Sequence, residues 1–162
     1  MTLPLQQAAH ASHADGTAQS VTAGLYHEVQ GFYAHQMQLL DSDEVDAWAR
    51  TFTEDGVFSA NAHPDPVRGR TAIATAARAA RAALAEKGIR HRHWLGMVDV
   101  RPRGDDRLQV RSYALVLAIP RGGQATVHVH TTCDDELVRR DGRWQVATRH
   151  VTRDDLEPGM ER

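Results

Sequence analysis

Residues 89–102 read IRHRHWLGMVDVRP, and this stretch decides how the chain is interpreted. Side chains alternate between two faces along an extended strand, so His91 and His93 point the same way. Leu95 and Met97 share that face. One face of the predicted strand therefore combines imidazoles with apolar side chains, a mixture typical of a pocket lining, a metal site or a core with hydrogen-bonded histidines.

The chain after Gly88 has the pattern of a sheet. Four apolar or alternating segments are separated by the turn sequences RGDD, RGG and RRDG. They are predicted as strands over residues 89–102, 107–120, 124–139 and 143–153. Because short turns join these strands, we expect neighbouring strands to pair antiparallel.

Three helices and one short strand are predicted ahead of this sheet. Apolar residues at spacings of three and four indicate a first helix from about residue 21. The stretch DSDEVDAWARTF, which begins at Asp41, indicates a second, and an alanine-rich stretch from Thr71 to Gly88 indicates a third. VFSAN, residues 57–61, is predicted as the short strand. Helices in front and hairpin-linked strands behind predict an α+β fold.

Composition limits the function classes. The 162 residues suffice for one domain, predicted over 21–156, with a flexible leader at 1–20 and a short tail at 157–162. The formal charge of -2 gives no reason to expect nucleic acid or a membrane as a partner. The first twenty residues lack the basic and apolar regions of a secretion signal, and the one cysteine excludes an internal disulfide, so a cytoplasmic location is expected.

Several motifs carry a resemblance to a known family. They are LLDSDEVDAWARTFTEDGVF, VRGRTAI, RHWLG and DGRWQVATRHVTRD. Together with the order of elements, they resemble the SnoaL-like branch of the nuclear transport factor 2-like superfamily. That branch includes polyketide cyclases, scytalone dehydratase and the small subunit of ring-hydroxylating dioxygenases. The resemblance implies a cone-shaped fold, in which three N-terminal helices pack on a curved antiparallel sheet and enclose a pocket.

The resemblance to scytalone dehydratase also implies catalytic roles. It places the catalytic aspartate on Asp41 and one catalytic histidine on His93. A carboxylate that fixes the tautomer of an imidazole and raises its basicity is what general acid/base catalysis requires. The second catalytic histidine of that enzyme falls near Ala118, and its two substrate-polarising tyrosines fall near Leu40 and Ala60, so those groups differ here.

Each of these two residues also has an ordinary structural interpretation. Asp41 stands where it can cap the second helix, and a histidine on an apolar strand face is often a hydrogen-bonded core residue.

A comparison with limonene epoxide hydrolase, a relative in the same superfamily, gives no support for epoxide hydrolysis. At the positions of that enzyme's carboxylates, this chain has the sequences RSY and ATRHV, which contain neither Asp nor Glu.

Six further residues are predicted to contact a substrate. Asn61 stands at the expected pocket mouth, and the hydroxyls of Tyr33 and Tyr113 can bind a carbonyl, although both tyrosines also suit the core. On the last strand, alternation allows either Arg149 or His150 to line the cavity, and His150 is preferred. The predicted set is Asn61, Tyr33, Tyr113, His150, His91 and Met97.

A second His-x-His stretch raises the question of a metal. His128, His130 and Asp134 share strand parity and resemble the spacing of a cupin metal motif. Against this site, cupins normally use Glu, a second cupin motif does not follow, and three preceding helices do not fit that fold. We therefore predict that neither a metal nor another cofactor is needed.

These observations lead to a functional expectation. The chain is expected to be a cofactor-free acid/base enzyme, a cyclase or dehydratase that acts on an aromatic or polyketide-like intermediate. The alternative is a non-catalytic ligand-binding or accessory subunit of the same fold. Apolar residues on the outer face of strands 124–139 and 143–153 predict a homodimer formed through the sheet.

Overall fold

The computed structural model describes residues 21–156, so the predicted leader and tail lie outside the described residues. The helices are α1 (Ala23–Asp41), α2 (Val45–Ala49) and α3 (Arg70–Glu86). The strands are β1 (Phe52–Ala60), β2 (Val67–Arg68), β3 (Ile89–Pro102), β4 (Arg107–Pro120), β5 (Thr126–Arg140) and β6 (Arg143–Arg153), and a single 3-10 turn follows at Asp154–Leu156. The predicted order of elements is therefore confirmed, with β2 as an addition.

Local signals explain where the long helices begin and end. The Thr22 hydroxyl accepts a hydrogen bond from the backbone N–H of Leu25 at 3.2 Å and so caps the start of α1. The chain leaves α3 through Gly88, whose φ of 64° lies in the left-handed region that favours glycine. The alanine-rich sequence of α3 favours a helix, because alanine has the highest helix propensity.

The six strands form one sheet in the order β2-β1-β6-β5-β4-β3. The pairs from β3 to β6 are antiparallel, as the short turns predict. β1 pairs with β6 in parallel, which is possible because most of the chain separates these two strands. The sheet is curved, unclosed and mixed, and three helices pack on it. The α+β cone fold is thus confirmed, although the sheet is not antiparallel throughout.

The core lies between the helices and one face of this sheet. α1 and α2 contribute Val29, Trp48 and Ala49, which are buried against residues of the long strands. The buried strand residues are Val98 and Val100 of β3, Leu108 and Val110 of β4, Leu137 of β5 and Val146 of β6. This end of the cone is filled by apolar side chains, and the open space lies toward the other end.

Register shifts interrupt three of the long strand pairs. They lie between Gly96 and Asp99 in β3, beside Val116 in the β4–β5 pair, and next to Leu137 in the β5–β6 pair. An extra residue in one strand reverses the faces of all side chains beyond it. Met97 is such a residue, with a φ of 51° and a side chain that is 78% exposed. The prediction that Met97 lines the pocket is corrected by this bulge.

Candidate active site

A cavity of about 410 Å³ opens between the helices and the inner face of the sheet. Most of its wall is apolar, and helices and strands contribute to it alike. The larger apolar residues in the wall are Met37, Leu40, Trp48, Phe58, Val67, Ile73, Leu84, Leu95, Val116, Val129 and Val151. Such a wall suits a ligand with a hydrophobic ring skeleton.

The Asp41 carboxylate holds His93 at two points. Its Oδ2 accepts the backbone N–H of His93 at 3.0 Å, and its Oδ1 lies 2.7 Å from the ring Nδ1. Asp41 is the last residue of α1 and is 6% exposed. The structure therefore corrects the helix-cap interpretation of Asp41, because α2 begins only at Val45.

This contact determines which tautomer His93 adopts. A carboxylate can only accept a hydrogen bond, so Nδ1 of the imidazole carries the proton. Nε2 is then the ring nitrogen left for a ligand, and His93 is part of the cavity wall. In its neutral form, His93 can accept a proton at Nε2, and the imidazolium so formed stays paired with Asp41.

His91 is also part of the cavity wall. Its ring lies 4.9 Å from the ring of His128 and 6.4 Å from that of His93. Burial, together with repulsion from His128 and His93, lowers the pKa of His91. His91 is therefore mainly neutral near pH 7.

A buried ion pair closes the wall on the β6 side. Arg149 donates from Nε to Asp135 Oδ1 at 2.9 Å and from Nη2 to Oδ2 at 2.7 Å, and Nη2 also contacts Gln36 Oε1 at 2.8 Å. Tyr33 donates its hydroxyl to Asp135 Oδ2 at 2.8 Å. Burial and the Asp135 charge raise the pKa of Tyr33 well above its ordinary value. Tyr33 is thus a 2% exposed core residue that supports the ion pair.

The structure places three other predicted binding residues away from the cavity wall. His150 is exposed and its Nδ1 lies 2.8 Å from the Ser59 hydroxyl, while Arg149 takes the inward position. The Asn61 amide bonds the backbone N–H and C=O of Arg153 at 2.9 and 3.0 Å, so it joins the ends of β1 and β6. Tyr113 is 46% exposed on the opposite face of the sheet.

The second His-x-His stretch is divided by a bulge. His128 stacks beside His91, whereas His130 hydrogen-bonds Asp154, and Asp134 is held by two bonds from Arg111 at 2.7 and 3.0 Å. These side chains therefore do not converge on one point. Among residues 21–156, His, Cys, Asp and Glu form no group of three or more that could hold a metal. That the protein needs no metal remains a prediction.

The sequence interpretation missed Arg81 and Cys133 and preferred His150 to Arg149, whereas Arg81, Cys133 and Arg149 are all part of the cavity wall. Burial raises the pKa of the Cys133 thiol, so it is mainly protonated. A signal for Arg81 was present in the sequence. Along α3, Ala77, Ala80, Arg81 and Leu84 follow the spacing of one helix face, and Arg81 is the charged residue among small and apolar ones.

A profile of the SnoaL-like domain matches residues 21–150. The chain belongs to this family. Aln2 from a Streptomyces species is 32% identical with a TM-score of 0.78, over 84% of this chain and 95% of that chain. ActVI-ORFA from Streptomyces coelicolor is also 32% identical with a TM-score of 0.78, over 85% and 100%. A Catenulispora acidiphila protein in complex with S-DNPA is 36% identical with a TM-score of 0.71, over 83% and 96%.

Two further findings accompany these matches. A protein from Novosphingobium aromaticivorans described as NTF2-like with a cystatin-like fold has a TM-score of 0.70 at 22% identity, over 82% of this chain and 84% of that chain, which supports the fold alone. A search of curated proteins gave no match. Within residues 21–156, the helices are too short or too polar to cross a membrane.

The buried ion pair yields a prediction about stability. Asp135→Asn should lower the free energy of unfolding by about 3–5 kcal/mol, because it leaves the buried Arg149 guanidinium without its counter-charge. Asp134→Asn on the same strand is the matched control and should have a far smaller effect, since its partner Arg111 is largely exposed. Urea denaturation of both variants measures the difference. Equal losses would contradict a special role for the buried pair.

The lowered pKa of His91 yields a prediction about pH. The folded state disfavours protonated His91, so the unfolded chain binds more protons below its ordinary pKa of about 6.5. Stability should therefore fall as the pH drops below about 6.5, and His91→Gln should reduce that slope. Urea denaturation of the two proteins between pH 5 and pH 8 measures it, with the exposed His35→Gln as a control. A slope that His91→Gln leaves unchanged would contradict the prediction.

Proposed function

We propose that the chain is a cofactor-free acid/base enzyme, a cyclase or dehydratase of a polyketide-like or polycyclic intermediate. The observation that carries the proposal is the 2.7 Å contact between Asp41 and His93 at the wall of an apolar cavity. An imidazole oriented by a buried carboxylate and open to a ligand at Nε2 is suited to proton transfer near neutral pH.

The proposed reaction begins with removal of a proton by His93. Nε2 takes the proton from a carbon next to a ligand carbonyl, and Asp41 stabilises the imidazolium that results. In a dehydration, His93 then returns this proton to the departing hydroxyl, which leaves as water. In a cyclisation that proceeds by attack of the carbanion on a second carbonyl, His93 protonates the new alkoxide. Both sequences leave His93 neutral and ready for another turnover.

The ligand class rests on the cavity and on the relatives. The apolar wall suits a ring system, and a Catenulispora acidiphila protein of 36% identity has been solved in complex with the small molecule S-DNPA. The sequence resemblance to polyketide cyclases and dehydratases supplies the more specific substrate class.

One observation favours a non-catalytic ligand-binding role instead. The positions of the two polarising tyrosines of scytalone dehydratase correspond to Leu40 and Ala60, and both line the cavity here as apolar groups. A pocket with fewer groups to activate a carbonyl can still sequester a ligand. Turnover measurements on the variants below separate the two roles.

The central test replaces the two members of the pair. His93→Ala and Asp41→Asn should each lower turnover of a polyketide-like substrate by about 10²–10⁴-fold, which is the usual contribution of a positioned acid/base group. His91→Ala should have a much smaller effect, because His91 has no carboxylate contact within the described residues. Circular dichroism checks that each variant is folded. Undiminished turnover in His93→Ala would leave the ligand-binding role as the better explanation.

We also propose that two copies associate through the face of the sheet opposite the cavity. Trp94, Tyr113, Leu115 and Val127 are exposed on that face, with Trp94 70% and Val127 61% exposed. Of these four residues, Val127 alone lies on the strands 124–139 and 143–153 from which the dimer was predicted, because Trp144 of β6 is buried in the core. A contiguous apolar patch on a sheet is typical of a protein interface.

Light scattering at micromolar concentration should accordingly give the mass of a dimer. Leu115→Glu should shift it toward the monomer, because the new charge would be buried at the interface. Tyr26→Glu, which alters an exposed aromatic residue of α1, should leave the dimer intact. A wild-type monomer under these conditions would contradict the proposed association.

A further inference from the structure

Two side chains of the cavity wall carry a buried N–H group with no hydrogen-bond partner among the described residues. They are Arg81, through Nη1, and Trp48, through Nε1. Leaving a buried donor unpaired costs free energy, more so when the donor is charged, and such groups therefore call for an explanation. Both atoms are donors, so a ligand oxygen is the kind of group that would satisfy them.

The Arg81 guanidinium is held in place by its other nitrogens. Nε donates to Asp43 Oδ1 at 2.5 Å, and Nη2 lies 3.5 Å from the backbone carbonyl oxygen of Asp41. The side chain is 14% exposed, whereas that of Asp43 is 71% exposed. Arg81 is therefore fixed from the solvent side beside the Asp41–His93 pair, and Nη1 remains unused.

The charged and ionisable groups of the cavity wall are all basic, apart from the Cys133 thiol. They are Arg81, Arg149, Arg153, His63, His91 and His93. Arg149 is neutralised by the buried Asp135, Arg153 pairs with Asp155 at 2.7 Å, and Arg81 pairs with the exposed Asp43 but keeps Nη1 without a partner among the described residues. Among the described residues, no Asp or Glu belongs to the wall. This contrasts with the formal charge of -2 for the whole chain.

We propose that Arg81 is the anion-binding residue of this cavity, and that the ligand carries one anionic oxygen, a carboxylate or an ionised enol, on its apolar ring skeleton. This inference rests on the proposed function for the cavity as the ligand site. The free Nη1 of Arg81 donates to the anionic oxygen, while the apolar wall takes the rings. Because Arg81 also contacts the Asp41 backbone, the anion lies on the same side of the cavity as His93 and fixes the ligand relative to Nε2.

The test compares bicyclic aromatic probes that differ in charge. Naphthoate supplies a carboxylate, hydroxynaphthoquinone an ionised enol, and naphthamide is the neutral counterpart of naphthoate. Calorimetry near neutral pH should show at least one anionic probe binding about tenfold or more tightly than naphthamide, since a charge-assisted hydrogen bond replaces an unpaired donor. The anionic probe that binds more tightly than naphthamide shows whether Arg81 donates to a carboxylate or to an ionised enol. Equal affinity for all three probes would overturn the inference, as would a lack of binding by all of them.

The helix offers a matched pair of variants. Arg81→Met should abolish the preference for the anionic probe, whereas Arg78→Met should leave it unchanged. Arg78 lies one turn earlier on α3, forms an ion pair with Asp46, and is 51% exposed. If Arg81→Met does not fold, Arg81→Lys keeps the charge but should weaken anion binding, because its single ammonium group cannot bond Asp43 and the ligand with the same geometry. An anion preference that is undiminished in the Arg81 variants would overturn the inference.

Binding and turnover distinguish this inference from the proposed function. An Arg81-dependent anion preference in a protein without turnover would support Arg81 as the anion-binding residue and contradict the enzyme. His93-dependent turnover of a ligand, combined with equal binding of charged and neutral probes, would support the enzyme and overturn the role of Arg81.

Discussion

The Asp41 carboxylate is the contact on which the rest of the site depends. It accepts both the backbone N–H and the ring Nδ1 of His93, so one side chain fixes a strand and its imidazole together. Asp41 is the last residue of α1, and its position therefore also sets where this helix ends against β3. A carboxylate that is 6% exposed needs such partners, because desolvating its charge without them would be costly. The same bonds that hold the fold together thus orient the proposed proton acceptor.

A second buried group of charges, the Arg149–Asp135 ion pair, lies on the opposite side of the cavity. Arg149 and Asp135 satisfy one another, and Tyr33 and Gln36 of α1 complete their hydrogen bonds. These bonds connect β5 and β6 to α1 across the core, while Asp41 connects the end of α1 to β3. The first helix is therefore held to the sheet by a polar contact on each side of the cavity. Because these two polar contacts hold α1 in place, the apolar side chains between them can leave a cavity instead of packing against one another.

Much of the fold was predictable because its signals are local, whereas the errors at Met97 and His150 come from β-bulges. The turn sequences and Gly88 marked element ends, but Asp41 and His93 were found through the family resemblance, since their spacing of 52 residues carries no local signal. Alternation assigned Met97 to the cavity, and the extra residue in β3 turns it outward. In β6, the shift near Val146 brings Arg149 inward and leaves His150 exposed. Bulges depend on how two paired strands fit one another, so a single strand read alone does not reveal them.

The distribution of acidic and basic side chains around the cavity limits the reactions that the site is suited to. Asp41 and Asp135 are both bound to basic partners, and among the described residues no Asp or Glu belongs to the cavity wall itself. Activation of water by a free carboxylate, as in the epoxide hydrolase relative, therefore lacks its group here. An imidazole with a basic residue nearby suits a different task, in which a proton leaves carbon and negative charge develops on an adjacent oxygen. Arg81 contacts the backbone of Asp41 beside His93, so this arrangement supports the proposed enolate chemistry.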